Sequence, residues 1–255
     1  MAASYIWQQA DWPQFHFDQT ALKPALEQVR QEQNKLLGQL ANLPHGEDRF
    51  AHMDALIQSA IRTSEIEGED LNVGSVRSSV AHQLGLNQAG LPPSTPQTDA
   101  VVSMLLDATE HFQKPLSLKR LCSWQAGLFP ENDSALNPVS LGQLRDETPM
   151  QVVSGRMERP HIHFEAPPRD VLEAEVDNFI HWFNHPPKVL DPILRAGIAH
   201  LWLITLHPFE DGNGRITRAV TDMALAQAEQ QAIRFYSLSA AIMARRKEYY
   251  KQLEQ

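Results

Sequence analysis

One run of twelve residues, from His207 to Arg218, constrains this chain more than any other part of its sequence. It reads His-Pro-Phe-Glu-Asp-Gly-Asn-Gly-Arg-Ile-Thr-Arg. A titratable imidazole, carboxylates, small turn residues and two arginines lie within it. Because it combines a base with anion-binding groups, such a set can hold a nucleotide polyphosphate and deprotonate a nucleophile beside it.

The helical spacing of apolar residues before and after this run predicts that it joins two buried helices. Apolar residues recur at helical spacing from Asp191 to Leu206, which predicts a core helix. Pro208 should end that helix, because the residue before a proline is pushed away from helical backbone angles. The Asp-Gly-Asn-Gly segment has turn chemistry. A second helix is predicted from Asn213 or Gly214 to about Glu229.

Chemistry and position give the polar residues of the run separate expected roles. His207 can accept a proton near neutral pH, and Asp211 is a hard oxygen ligand suited to Mg²⁺ that carries phosphate. The first N–H groups of the second helix favour an anion, and arginine grips phosphate oxygens in pairs. The expected nucleotide-binding residues of the run are Gly212, Asn213, Gly214, Arg215 and Arg218. A plain helix–loop–helix corner with a core histidine and surface arginines is the alternative.

The run resembles the signature of the Fic family, His-Pro-Phe-x-(Asp/Glu)-Gly-Asn-Gly-Arg-x-x-Arg, at every defined position. The resemblance implies a mainly α fold, a compact Fic-type helical bundle with a short β-hairpin flap. It implies transfer of AMP from ATP to a hydroxyl of a target protein, with His207 as the general base, Asp211 as the Mg²⁺ ligand and Arg218 at the γ-phosphate. One family branch has lysine where Gly214 stands and acts as a kinase, so glycine here favours nucleotidyl transfer.

A second signal lies upstream, in a helix predicted from Phe50 to Glu67 with Gly68 as its C-terminal cap. Glu65 and Glu67 occupy its last turn, and further acidic residues follow. Negative charge at a helix C-terminus costs about 0.3–1 kcal/mol per group. Either these side chains are solvated, or one of them has a cationic partner elsewhere in the chain.

The end of that helix, Thr63-Ser64-Glu65-Ile66-Glu67-Gly68, resembles the Fic inhibitory motif, Ser/Thr-x-x-x-Glu-(Gly/Asn). Thr63 and Glu67 are four residues apart and so share a helix face. In autoinhibited relatives this glutamate pairs with the second motif arginine, here Arg218, and prevents productive ATP binding. Thr63 and Glu67 are therefore the expected inhibitory residues, and the chain resembles the class whose inhibitory helix is N-terminal. An ordinary acidic helix end is the alternative.

Met150 to Phe164 is predicted to form two short strands around Ser154-Gly155. This is the place of the family flap, where a target segment adds as an extra strand by main-chain pairing. An ordinary surface hairpin fits the local sequence equally well. The expected target-binding residues of the flap are Val152, Val153, Ser154, Gly155 and Arg156.

A last helix is predicted from Ser237 to Glu254, and it carries Tyr249 and Tyr250. Family members have a similar tyrosine pair near the nucleotide base. The resemblance therefore implies that Tyr249 or Tyr250 contacts adenine, and packing in the core is the alternative.

The charge balance narrows the expected partners. With 31 acidic and 22 basic residues the net charge is −9, which argues against nucleic-acid binding. The single cysteine, Cys122, fits a reducing cytoplasm, and no apolar run reaches membrane-spanning length. The expected cofactors are ATP and Mg²⁺. The expected partner is a protein substrate, which can be the chain itself, and a homodimer is compatible with the sequence.

Three regions are predicted along the chain. Residues 1–45 form an aromatic-rich accessory region, residues 46–98 hold the inhibitory helix and a linker, and residues 99–255 form the catalytic domain. The clearest linker runs from Asn87 to Thr98. The aromatic opening is predicted to be extended, and its tryptophans either form an interaction surface or pack on the core.

Together with the chemistry of the run, the resemblance implies a protein adenylyltransferase that modifies Ser, Thr or Tyr hydroxyls and is autoinhibited by pairing of Glu67 with Arg218. Two alternatives remain open at this stage. The same site can remove AMP from a modified protein, with Glu67 positioning a water, or the chain can be a non-catalytic interaction module that depends on nucleotide.

Overall fold

The computed structural model describes residues 5–40, 47–87, 90–130, 139–156, 159–232 and 235–253. Within them the chain is mainly α-helical with one two-stranded antiparallel sheet, as the sequence predicts. The helices are α1 (Gln19–Leu40), α2 (Glu47–Ile66), α3 (Val73–Gln83), α4 (Pro96–Glu110), α5 (Leu118–Gly127), α6 (Arg169–Asn184), α7 (Pro192–Leu206), α8 (Asn213–Glu229), α9 (Leu238–Ala244) and α10 (Arg246–Leu253). The strands are β1 (Gln151–Arg156) and β2 (Arg159–Glu165). No helix in these described ranges is both long and apolar enough to cross a membrane.

Helices α7 and α8 form the centre of the bundle and carry the signature run between them. Asp191 caps α7 by accepting from the backbone N–H groups of Ile193 and Leu194 at 2.9 and 3.3 Å. Helix α8 is buried from Asn213 to Ala226, except for Gly214, because α2, α4, α5 and α7 pack around it. A helix that is enclosed on all sides is a rigid support for the residues at its start.

Helix α2 ends in a left-handed turn that directs its acidic residues toward the start of α8. Gly68 has φ 84°, a conformation that glycine adopts at low cost. Its N–H donates to the Glu65 carbonyl, and the Glu69 N–H donates to the Ser64 carbonyl, both at 3.0 Å. These are the two bonds of a Schellman motif. Glu67 and Glu69 therefore flank the turn.

The hairpin turn lies at a different place from the predicted one. Ser154 and Gly155 are inside β1 and pair with β2, so the chain reverses after Arg156. A Ser-Gly pair permits a turn without requiring one, and continued pairing satisfies further backbone N–H and C=O groups. The side chains of residues 153–161 lie outside the described part, so the predicted target contacts of these residues stay predictions: Val153, Ser154, Gly155 and Arg156.

Two helix boundaries also differ from the predictions. The linker is shorter than Asn87–Thr98, because the Thr95 hydroxyl caps α4 and Pro96 is its first residue. The single C-terminal helix is in fact two helices, α9 and α10, since Arg245 between them leaves helical angles at φ −125° and ψ 34°. The break directs α10 toward the start of α8.

The aromatic opening packs back on the bundle. The ring of Trp12 meets that of Trp202 at 5.9 Å between centroids, and its N–H donates to Glu175 at 2.8 Å. A short 3-10 turn at Ile6–Gln8 interrupts the extended backbone predicted there. The indole N–H of Trp7 donates to the carbonyl of Glu165 at the end of β2. The two tryptophans were expected either to form an interaction surface or to pack on the core, and the structure shows them packed on the domain.

Candidate active site

A cavity of about 310 Å³ opens where α7, α8, α10, the hairpin and the end of α2 meet. A volume of this size suits a small-molecule ligand. The signature run contributes His207, Glu210, Asp211, Gly212, Asn213, Gly214 and Arg218 to its lining. The other elements contribute Glu67, Val152, His163, Phe164, Tyr249 and Tyr250, among others. The fold thus brings together residues from all four segments that the sequence singled out.

His207 ends α7 and presents its ring to the cavity. Its backbone is left-handed, with φ 46° and ψ 57°, which is uncommon for a residue other than glycine. Nδ1 lies 3.2 Å from the Ile204 carbonyl, so Nδ1 carries the proton and Nε2 is free to accept one. Burial lowers the pKa of His207 and outweighs the Ile204 carbonyl and the carboxylates of Glu67 and Asp211, which raise it. The imidazole is therefore neutral at neutral pH.

Asn213 closes the loop of the signature run on itself. Its side-chain amide donates to the Phe209 carbonyl at 2.7 Å, and the Phe209 N–H donates to its side-chain oxygen at 2.9 Å. One N–H of the side-chain amide and the side-chain oxygen are thus bonded to one backbone unit. The backbone N–H of Asn213 at the start of α8 can serve an anion, because such groups have no partner within the helix.

Asp211 and Gly212 form the rim of the cavity before α8. Gly212 has φ 89° and is the N-cap residue of α8, a position that a side chain would strain. The Asp211 side chain is 57% exposed, and one oxygen accepts the Gly212 N–H at 2.5 Å. An exposed carboxylate beside a helix N-terminus suits Mg²⁺ that arrives with phosphate, since this ion keeps most of its waters.

Arg218 is 1% exposed and is held by the end of α2. Its Nε donates to Thr63 Oγ1 at 2.8 Å, and one terminal nitrogen donates to the Thr63 carbonyl at 2.9 Å and to Glu67 Oε1 at 2.7 Å. The Glu67 carboxylate also lies over Gly214, where an added methyl group would overlap it. A carboxylate of the chain itself therefore occupies the anion position at the start of α8.

A second ion pair, which the sequence analysis did not single out, joins the same two elements. Arg215 is 1% exposed and donates to Glu69 Oε2 at 2.7 Å. Its guanidinium also lies over the ring of Phe129, 5.2 Å from the centroid. Both arginines of the signature run are thus paired with carboxylates from one turn, the turn around Gly68.

Tyr249 and Tyr250 line the cavity while their hydroxyls face other helices. The Tyr249 hydroxyl lies 2.8 Å from Nε2 of His200 on α7. The Tyr250 hydroxyl lies 3.4 Å from the Ile66 carbonyl at the end of α2, which also accepts from Arg246 at 2.8 Å. The tyrosine pair therefore connects α10 to α7 and α2 in addition to forming part of the cavity wall.

Arg145 joins the signature run to the foot of the hairpin and was not among the predicted site residues. It is 2% exposed. Its Nε donates to the His207 carbonyl at 2.9 Å, and a terminal nitrogen donates to the carbonyl of Pro167, just beyond β2. A buried guanidinium that spans both segments fixes the backbone of His207 relative to the hairpin.

Replacing Trp7 with phenylalanine is expected to loosen the hairpin. The substitution removes the N–H that donates to the Glu165 carbonyl at 2.6 Å, and one such bond is worth about 0.5–1.5 kcal/mol. Amide hydrogens of β1 and β2 should then exchange up to about tenfold faster, measured by hydrogen-exchange mass spectrometry. Trp124→Phe is the matched control, since its N–H bonds Asp107 in α4. Equal hairpin exchange in both variants would contradict this role of Trp7.

Comparison with known proteins finds two family models that each match part of the chain. Residues 115–225 match the sequence model of the Fic/DOC family, and residues 5–86 match a domain described as Domain of unknown function (DUF4172). A crystal structure of a Fic family protein from Desulfovibrio desulfuricans G20 has the same fold. It aligns with a TM-score of 0.63 over 94% of this chain and 67% of that chain, at 19% identity. The segment that matches the Fic/DOC family model, residues 115–225, includes the signature run at the cavity.

Two curated relatives are nucleotidyltransferases that differ in the transferred nucleotide. The uridine 5′-monophosphate transferase of Xanthomonas campestris pv. campestris (strain 8004) is 31% identical over 44% of this chain and 21% of its own length. Protein adenylyltransferase fic-1 of Caenorhabditis elegans is 33% identical over 36% of this chain and 16% of its own length. Each match spans less than a quarter of the relative, so the similarity concerns the domain rather than the whole of either protein.

Proposed function

We propose that this protein transfers AMP from ATP to a Ser, Thr or Tyr hydroxyl of a protein substrate, and that the end of α2 inhibits this reaction. The observation that carries the proposal is that His207 lines one cavity with Asp211, Arg218 and the start of α8. Relatives named protein adenylyltransferase support AMP as the transferred group. Because another relative is named uridine 5′-monophosphate transferase, UTP is the alternative nucleotide donor to test against ATP.

In the proposed step, the hydroxyl oxygen of the target attacks the α-phosphorus of ATP. His207 Nε2 takes the hydroxyl proton as the new P–O bond forms. The bond from the α-phosphorus to its bridging oxygen breaks, and pyrophosphate leaves. The backbone N–H groups at the start of α8 and the Arg218 guanidinium stabilise the negative charge on the phosphates. Asp211 would hold Mg²⁺, which would supply further neutralisation of that charge.

The contacts of Glu67 support the inhibitory half of the proposal. A γ-phosphate that approaches Arg218 has to displace the Glu67 carboxylate, which already accepts from the guanidinium at 2.7 Å. In the same turn Glu69 accepts from Arg215 at 2.7 Å, and these two residues lie outside the cavity lining. Because both carboxylates belong to one turn, a single displacement of the end of α2 would release both arginines.

The hairpin and the composition support the remaining parts of the proposal. Strand β1 pairs with β2 on one side, so a target segment can add to the hairpin by main-chain pairing. Val152, at 45% exposure, lies where this segment would meet the cavity. The target can be another protein or a second copy of the chain, including one in a homodimer. A reducing cytoplasm is the proposed compartment, since Cys122 is the single cysteine.

The proposal is tested by following which phosphate of ATP reaches protein. The Glu67→Gly protein is incubated with Mg²⁺ and ATP labelled at either the α- or the γ-phosphate, with labelled UTP as the competing donor and Glu67→Gly/His207→Ala as the control. Covalent label from α-labelled ATP alone, lost in the control, is expected. Label from the γ-phosphate would contradict nucleotidyl transfer, label from UTP alone would contradict AMP, and release of AMP from an already modified protein without any labelling would favour the reverse reaction.

The pH dependence of transfer tests His207 as the base. The active imidazole is neutral, and burial lowers its pKa. Transfer should therefore stay constant as pH falls to about 6.5, the ordinary histidine value, and decline only below it. In the Glu67→Gly background this direction is reinforced, because a carboxylate that raises the pKa is gone. A decline of kcat/KM centred above about pH 6.5 would contradict this assignment.

A further inference from the structure

The ion pair of Glu69 with Arg215 joins the turn after α2 to the start of α8, and neither residue lines the cavity. Glu69 Oε2 accepts from a terminal nitrogen of Arg215 at 2.7 Å. Arg215 is 1% exposed, and its guanidinium also lies over the ring of Phe129. Because a buried guanidinium is costly without a charged partner, this pair is a firm attachment between the two segments.

Glu67 lies between two residues of the same segment that are bonded to α8. Upstream of it, Thr63 accepts from Arg218 through its hydroxyl and its carbonyl, at 2.8 and 2.9 Å. Downstream of it, Glu69 accepts from Arg215. Glu67 itself follows the last residue of α2, and its side chain is 32% exposed. The position of Glu67 therefore depends on the bonded residues on either side of it.

The backbone connects Glu69 to Glu67 within one turn. The N–H groups of Glu67 and Glu69 both donate to the carbonyl of Ser64, each at 3.0 Å. Gly68 stands between them with φ 84°, and glycine has more backbone freedom than any other residue. Because the Glu69 side chain is fixed on α8, rotation at Gly68 is limited. The ion pair with Arg215 thereby limits the directions that the Glu67 carboxylate can take.

We propose that Glu69 is a positioning residue for the inhibitory carboxylate, and that its ion pair with Arg215 directs Glu67 to Arg218 and over Gly214. Arg215 and Arg218 are three residues apart and so lie on one face of α8. A turn held by one ion pair can pivot about it, whereas a turn held by two cannot. This inference rests on the proposed function, because the anion that Glu67 excludes is the phosphate of a nucleoside triphosphate.

Three substitutions separate the ion pair of Glu69 from its charge. Glu69→Ala removes both the charge and the acceptor of Arg215. Glu69→Gln removes the charge and keeps a side-chain oxygen that can accept from Arg215. Asp70→Ala is the matched control, because it removes one negative charge from the next residue, which is exposed, and leaves the ion pair intact. A gain in MgATP affinity that comes only from reduced negative charge would appear equally in this control.

The experiment measures dissociation constants of MgATP by calorimetry in two parents that do not turn over, His207→Ala and Glu67→Gly/His207→Ala. In the first parent we expect Glu69→Ala to bind MgATP about fivefold more tightly, Glu69→Gln about twofold more tightly, and Asp70→Ala to be unchanged. In the second parent Glu69→Ala should change the affinity by less than about 1.5-fold, because the carboxylate that Glu69 positions is already gone. Unfolding temperatures of all variants are measured alongside, and Glu69→Ala should lower this temperature, since Arg215 loses its partner.

Several results would overturn the inference. A gain from Glu69→Ala of equal size in both parents, or a gain from Asp70→Ala as large, would show an effect of charge alone. A lower unfolding temperature with unchanged MgATP affinity would show that Glu69 only stabilises Arg215. If Glu69→Ala does not fold, Glu69→Gln is compared with Asp70→Ala in both parents instead. Equal MgATP affinity of the two parents would overturn the proposed inhibition together with this inference, whereas tighter binding by the second parent with no gain from Glu69→Ala would overturn this inference alone.

Discussion

Replacing His207 with alanine is expected to lower the rate of AMP transfer by about a thousandfold, the usual contribution of a general base. Nδ1 bonds the Ile204 carbonyl at 3.2 Å, so the ring is oriented and Nε2 is the basic atom in the cavity. The rate is measured in the Glu67→Gly background, where inhibition is removed. Because the lost group acts on the hydroxyl rather than on the phosphates, the dissociation constant of MgATP should change little.

Two further variants test whether the effect of His207→Ala comes from the loss of its imidazole. His207→Asn is the first, because asparagine tolerates the left-handed backbone that alanine strains, and it has no base. Loss of transfer in both variants therefore assigns the effect to the missing imidazole rather than to backbone strain. His185→Ala is the second, since this exposed histidine lies after α6 and outside the cavity lining. Transfer by His207→Asn at the rate of His185→Ala would contradict the assignment of the base.

The signature run could be predicted closely because its contacts are local. The loop is closed by Asn213 and Phe209, four residues apart. Helix α7 ends before Pro208 and α8 starts after Gly212, at the places that backbone sterics and turn chemistry dictate. Spacing along the sequence is enough information for contacts of this range.

Contacts that join distant segments could be predicted only in part. The resemblance to the inhibitory motif predicts the pairing of Glu67 with Arg218, and the structure adds the two bonds from Arg218 to Thr63. Glu69 and Arg215, separated by 146 residues, carried no comparable signal. Their pairing depends on the left-handed turn at Gly68, which positions both glutamates, and an acidic run looks the same whether or not its members have partners.

Predictions from short stretches of sequence were wrong where the residues are compatible with more than one local structure. Ser154-Gly155 is compatible with a turn, but strand pairing continues through it. Arg245 is a good helix former in isolation, yet it separates α9 from α10. At Arg245 tertiary packing decides the structure, because the short helix α9 lies against α2 while α10 turns to place Tyr249 on the cavity.

Replacing Glu67 with glycine is expected to tighten MgATP binding by about tenfold or more and to raise the rate of transfer in proportion at subsaturating ATP. The carboxylate accepts from Arg218 at 2.7 Å and lies over Gly214 at the start of α8, so in the wild-type protein a phosphate competes with an anion already in place. Binding is measured by calorimetry with His207→Ala present, and transfer is measured without it. Glu65→Gly is the matched control, because it makes the same substitution two residues earlier on a glutamate that accepts from Arg62 at 2.6 Å and lies outside the cavity lining.

Glu67→Gly should also lower the unfolding temperature without nucleotide and increase the rise in that temperature caused by MgATP. This combination distinguishes the removal of an inhibitory carboxylate from a general loss of stability. Without nucleotide, Arg218 is 1% exposed and loses its charged partner, so Glu67→Gly should unfold at a lower temperature than the wild type. With saturating MgATP, the phosphate replaces the lost carboxylate, and tighter binding gives a larger rise in the unfolding temperature. The wild type, whose own carboxylate fills the site, should gain less from MgATP at the same concentration. A lower unfolding temperature in Glu67→Gly with no added gain from MgATP would mean that Glu67 stabilises Arg218 without competing with nucleotide.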